Sequence, residues 1–168
     1  MNLPKPTLLR KHFSWFILAL LCLAATVRYL FIFKLHQPEL YIFSDMKNYL
    51  ARSEMILSGK LPLSQTLHPI GYPLWLTIGY FFPDQIEFAK WCNFLFSFGT
   101  VVLMWLACNR SLSAKKSAII LFLAALHMPF ISLSGFFLTE PFFTFLLSFQ
   151  FYLFSKHSFP WNSRTSYF

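Results

Sequence analysis

FSWFILALLCLAATVRYLFIF, residues 13–33, is apolar almost without a break, and Arg28 is its single charge. A helix needs roughly 20 such residues to cross the hydrocarbon core of a bilayer. The run is preceded by Lys5, Arg10, Lys11 and His12. A cleaved signal peptide would have a shorter apolar core followed by small residues at A-x-A spacing. Ala24-Ala25-Thr26 matches that pattern weakly, and the run continues past it to Phe33. The stretch therefore reads as an uncleaved first helix, with Arg28 near its outer end expected to snorkel to the interface.

The rest of the composition agrees. Hydrophobic residues make up 57% of the 168 positions and charged residues 12%, against about 25% charged in soluble domains. The 23 Phe and 5 Trp suit helix interfaces and the membrane–water boundary. Net charge is +8, but the cations lie between apolar segments. They report orientation in a membrane rather than nucleic-acid binding. Cys22, Cys92 and Cys108 are odd in number, lie in apolar stretches and form no CxxC, so they read as packing thiols.

Further spans are expected at about 88–108, 117–135 and 141–155, the third containing His127 and Pro129. His127 reads as a neutral side chain hydrogen-bonded to a neighbouring helix. Residues 34–87 hold five of the six acids and five prolines, and read as a long first outer loop. Within it Ser44–Ser58 is predicted to form a short amphipathic helix. Ser44 would be its N-cap, Met46, Leu50 and Leu57 one side, and Gly59 its C-cap. Ile70–Phe82 is apolar, too short to span and broken by Pro73, which predicts an interfacial or re-entrant piece. The basic N-terminus, the Asn109–Lys116 loop and the tail carry no acids, which places them in the cytoplasm and the acidic loop outside. The expected fold is thus an all-α membrane protein, one domain of about four transmembrane helices.

Two carboxylates fall on the outer side of that arrangement. Asp45 opens the amphipathic helix, and Glu140 lies where the third span ends. Such groups can act as general base or bind a divalent cation. Each is also an ordinary residue for the first turn of a helix, where the dipole favours acids. His68 and Tyr72 lie in the rigid His68-Pro69-Ile70-Gly71-Tyr72-Pro73 segment and can offer polar atoms to a ligand, though a plain turn explains the same residues. Lys47, Arg52 and Lys60 lie on or beside the amphipathic helix and suit phosphate headgroups as well as solvent. P-loop, GxGxxG, HExxH and GxSxG patterns are absent.

In order, Arg28-Tyr29-Leu30, Ser44-Asp45-Met46 with Tyr49, His68-Pro69-Ile70-Gly71-Tyr72-Pro73-Leu74-Trp75 and Thr139-Glu140-Pro141-Phe142 resemble the N-terminal half of GT-C superfamily membrane glycosyltransferases. The closest types are the bacterial proteins related to protein O-mannosyltransferases and aminoarabinose transferases. The resemblance covers Arg28 to Leu147. It implies a sugar donor on a polyprenyl phosphate and Asp45 as base for the acceptor hydroxyl. Glu140 would support Asp45 or help hold a metal, and nearby Lys and Arg would meet the phosphate. Ile70 stands where that family often has Pro or Gly. Members of the superfamily also have about twice as many spans, so the resemblance implies that the chain is the N-terminal part of a larger module, expected in a bacterial inner membrane. Two other readings stay open: a non-enzymatic helical subunit that stabilises a partner membrane protein, and an inactive truncated relic.

Overall fold

The computed structural model describes residues 8–60 and 70–158, and among these it holds helices and no strand. Helix α1, Leu8–Leu30, runs on through a π-helical turn, Phe31–Leu35, and a 3-10 turn, Pro38–Leu40. Then come α2 (Asp45–Leu57), α3 (Gly71–Ile78), α4 (Gln85–Ser111), α5 (Ala114–Ala125), α6 (Met128–Ser134) and α7 (Thr139–Ser158).

Two of these segments, Phe13–Leu40 and Gln85–Ser111, are long and apolar enough to cross a membrane. The pair α5 and α6 makes a third if counted as one span bent by 45°. The sequence leads one to expect four. The break in the third is the work of His127-Met128-Pro129: proline cannot donate to the preceding turn and pushes the residue before it out of helical geometry. At the expected fourth span, α7 is a helix but is not apolar enough over its described length to count as a span, because Glu140, Gln150 and Lys156 dilute its apolar residues.

The directions of the long helices alternate. Arg28 of α1 bonds Ser97 of α4 while Phe33 packs on Trp91, so those two run antiparallel. Along α4 and α7, Phe96 meets Phe142, Gly99 meets Phe145 and Arg110 lies over Tyr152, so these run parallel. This is the most extensive helix pair among the described residues. Gly99 permits the close approach, since a Cβ there would fall 2.8 Å from the Phe145 ring.

Two cores result. One joins α1, α4 and α5 through Ile17, Leu20, Ala24, Val101, Leu121 and Ala125. The other joins α2, α3, α4 and the α6–α7 turn through Met46, Tyr49, Tyr72, Leu76, Ala89 and Phe137.

The described parts of the long loop fold onto the second core. Helix α2 ends in a Schellman motif: Gly59 at φ 68° donates to the Ile56 carbonyl and Lys60 to that of Met55. Gly59 is thus the turn residue that the sequence predicts. Ser44 occupies the N-cap position, but its side chain makes no capping bond and its φ is 45°. Leu57 is exposed rather than part of the buried stripe, which instead runs through Met46, Tyr49, Arg52 and Ser53. The short apolar segment after it forms α3, which packs along α2, with Thr77 donating to the Ser53 carbonyl at 3.2 Å. Helix α4 starts before the expected residue 88 because Asp84 caps it, accepting from the amides of Ile86 (2.8 Å) and Glu87 (3.1 Å).

Candidate functional site

Three of the candidate residues stand at helix starts: Tyr72 belongs to the second core, and Asp45 and Glu140 are chain neighbours of its residues. Asp45 is the first residue of α2 and precedes buried Met46. Tyr72 is the second residue of α3. Glu140 is the second residue of α7 and lies between Leu138 and Phe142, which pack on the same core. Asp45 is half-buried and Glu140 exposed. Both sit in a first helical turn, where the unpaired amides and the dipole favour a negative charge. Thr139 donates to the Glu140 carboxylate at 3.4 Å. No hydrogen bond joins Asp45 and Glu140 among the described residues.

The six acids divide by what holds them. Glu39 and Glu87 are bound to Lys90, at 3.1 and 3.0 Å, on the far side of α4's first turns. Lys90 also lies 5.2 Å over the Phe33 ring, and the group ties the end of α1 to α4. Asp84 serves as the α4 cap. Glu54 is exposed on α2. Asp45 and Glu140 are the two that flank residues of the second core in the chain (Met46; Leu138 and Phe142) and have no ion pair among the described residues.

The other predicted residues fare differently. Lys47 is exposed and available to an anion. Arg52 is buried on the α2 stripe beside Tyr49 and Ser53, so it does not stand as a solvated cation. His68 lies outside the described residues. Tyr72 is buried, and its hydroxyl donates to Asn93 Oδ1 at 3.0 Å, with Tyr49 edge-on at 5.7 Å. Burial raises the phenol's pKa, so the hydroxyl stays protonated and keeps donating. Its polar atom is committed inward. Among the described residues no group of three or more His, Cys, Asp and Glu assembles, so the divalent cation that the sequence allows meets no ready-made donor set there.

Three further residues set the geometry, and two of them, Asn93 and Ser97, are not singled out by the sequence. Asn93 of α4 is buried and donates to the carbonyls of Ser134 (3.2 Å) and Phe136 (2.6 Å) while accepting from Tyr72. One turn on, Ser97 accepts from Arg28 (2.9 Å) and donates to the Phe130 carbonyl (3.1 Å). Arg28 does not snorkel. It is fully buried, and its guanidinium donates to the carbonyls of Ala24 (3.1 Å), Ala124 (3.1 Å) and Ala125 (2.9 Å). The last two are the carbonyls left open where α5 breaks, so Arg28 caps the C-terminal end of a broken helix. The polar pair Asn93 and Ser97, four apart in an otherwise apolar helix, is the available signal, because polar side chains in such helices bridge to neighbours.

In comparison with known proteins, no family model, no curated protein and no solved structure matches this chain.

Proposed function

We propose that the chain is the N-terminal, membrane-embedded part of a glycosyltransferase that moves a sugar from a polyprenyl-phosphate carrier to an acceptor on the outer membrane face. Helices α1, α4, the bent α5–α6 pair and α7 then serve as four passes, with the N-terminus cytoplasmic. One observation carries the reading: Asp45 and Glu140, far apart in sequence, stand in the first turns of two helices whose neighbouring residues Met46, Leu138 and Phe142 pack in one core, while the other acids are tied to Lys90, spent on the α4 cap or exposed on α2.

The chemistry follows from those positions. The acceptor O–H gives its proton to the Asp45 carboxylate as its oxygen bonds to the anomeric carbon. The bond from that carbon to the phosphate oxygen breaks, and the lipid phosphate leaves with the electron pair. Lys47, exposed on the same helix, supplies a cation for the phosphate. Glu140 holds the acceptor or supports the base. The expected test result is that Asp45→Asn in the native enzyme lowers transfer from a polyprenyl-phosphate sugar by about 10²–10⁴-fold. Membrane insertion and thermal stability should persist. Undiminished transfer by the variant removes Asp45 from the mechanism.

A further inference from the structure

Charge is shared unevenly between the two ends of the bundle. Glu39 and Glu87 meet Lys90 near the start of α4, Asp84 caps that helix, and Glu140 opens α7, which runs parallel to α4. Asp45 and Glu54 lie on α2, which packs on the core that Ala89 of α4 shares. These acids, all that the chain has, stand at one end.

The last turn of α4, the first of α5 and the last of α7 form the other end. It holds Arg110, Lys115, Lys116 and Lys156, and no acid among the described residues. Ser117 donates to Asn109 Oδ1 at 3.3 Å, which sets the first turn of α5 beside the end of α4. The Arg110 guanidinium lies 5.2 Å over the Tyr152 ring. Lys156 is one helical turn beyond Tyr152 and on the same face of α7, so it stands next to Arg110 and further out. The three lysines are exposed. None of the four cations has an ion pair among the described residues.

The depth of this end follows from α4, which is long and apolar enough to cross a bilayer. From Lys90 to Arg110 the helix rises about 30 Å, and the hydrocarbon core is about 30 Å thick. With Lys90 and its two carboxylates at one boundary, Arg110 stands at the other, level with the lipid phosphates.

We propose that this end is a docking surface for anionic phospholipid headgroups, with one lipid phosphate held by Arg110 and Lys156 between the ends of α4 and α7. The planar guanidinium matches a phosphate with paired N–H donors. The Tyr152 ring steadies it from one side, and no carboxylate competes for those donors. Lys115 and Lys116 draw further anionic headgroups to the α4–α5 turn. The inference is independent of the glycosyltransferase reading.

The test is native mass spectrometry of the full chain released from micelles that hold equal amounts of dioleoylphosphatidylglycerol and dioleoylphosphatidylcholine. The two lipids share acyl chains and differ in headgroup charge. The wild type should retain phosphatidylglycerol preferentially. A cation beside an anionic lipid surface is worth roughly fivefold in binding, so the double variant Arg110→Gln, Lys156→Gln should lower the preference about 25-fold. Arg110→Lys, which keeps the charge and loses the fork, should lower it less than Arg110→Gln. Lys34→Gln removes an exposed cation at the opposite end and should leave the preference unchanged. Soluble glycerol 3-phosphate should not displace the lipid. Equal retention of both lipids by the wild type overturns the proposal, as does a preference that survives the double variant or falls as far with Lys34→Gln. Displacement by glycerol 3-phosphate overturns it too, since the surface would then take a soluble phosphate. If the double variant fails to fold, the pair Lys115→Gln, Lys116→Gln, both exposed on α5, decides the matter: a lowered preference supports the proposal and an unchanged one overturns it.

Discussion

Replacing Arg28 by Met asks what a buried guanidinium does in the first apolar helix. Methionine keeps the length and apolar stem of the side chain and removes all its donors. Four hydrogen bonds disappear, to Ser97 Oγ and to the carbonyls of Ala24, Ala124 and Ala125. Ser97 keeps its bond to the Phe130 carbonyl. The Ala24 carbonyl lies inside α1 and keeps its place in that helix's ladder. Ala124 and Ala125 end α5, and the residue that would bond Ala125 four positions on is Pro129, which has no N–H. Two buried carbonyls are therefore orphaned, at about 1–3 kcal/mol each. Relief from burying a charge offsets part of this, leaving a net loss of about 2 kcal/mol. For a chain of this size that is a fall of about 4–8 °C in Tm. Tryptophan fluorescence during thermal unfolding in detergent would measure it. Arg28→Lys keeps the charge but not the fork of five donors, and should fall between the two. A Met variant that melts with or above the wild type would show that the guanidinium does not hold the α5–α6 break.

Two further outcomes are expected. Gly135→Ala puts a Cβ 2.7 Å from both His36 Cδ2 and Phe31 Cε1. The His36 ring is already held at 4.7 Å by Tyr41 and by Phe136, so the change should cost about 1–3 kcal/mol, seen as a lower Tm and a smaller folded yield. Tyr72→Phe leaves Asn93 Oδ1 without its donor and should cost about 1–2 kcal/mol. In the wild type the buried phenol's pKa is raised, so as pH passes about 10 the unfolded chain loses a proton that the folded chain keeps. Stability from this group is complete below that pH and declines above it. Spectroscopic titration at 295 nm should find one of the seven tyrosines silent until the protein unfolds, and in Tyr72→Phe that silent residue should be missing.

The features legible in the sequence are those set by local chemistry. The apolar runs at residues 13–33 and 88–108 announce long helices, and Gly59 announces the end of α2, whereas Pro129 lies inside the expected third span and breaks it. What the sequence conceals depends on which neighbour a side chain meets. Arg28, four residues inside the end of an apolar run, looks like a snorkelling cation. Its partners are carbonyls 96 and 97 positions away, exposed only because another helix breaks beside it. Ser44 has the composition of a cap and lacks the backbone geometry of one. Tyr72 reads as a residue that offers its hydroxyl outward, yet Asn93, 21 positions on, takes that hydroxyl inward. Asp45 and Glu140 could be picked as acids at helix starts, but that their neighbours Met46, Leu138 and Phe142 share one core is a property of the packing of α2, α3 and α7.

The Arg28 contacts also impose an order on biosynthesis. The first helix leaves the ribosome carrying a charge in its last turn, and the Ala124 and Ala125 carbonyls that receive it are translated 96 and 97 residues later. At about 5–20 residues per second that is an interval of about 5–20 s. During it the first helix is a poorer membrane segment, since an unpaired arginine inside an apolar run disfavours insertion. Its stable residence in the bilayer is therefore granted retroactively, when α5 arrives and supplies the acceptors.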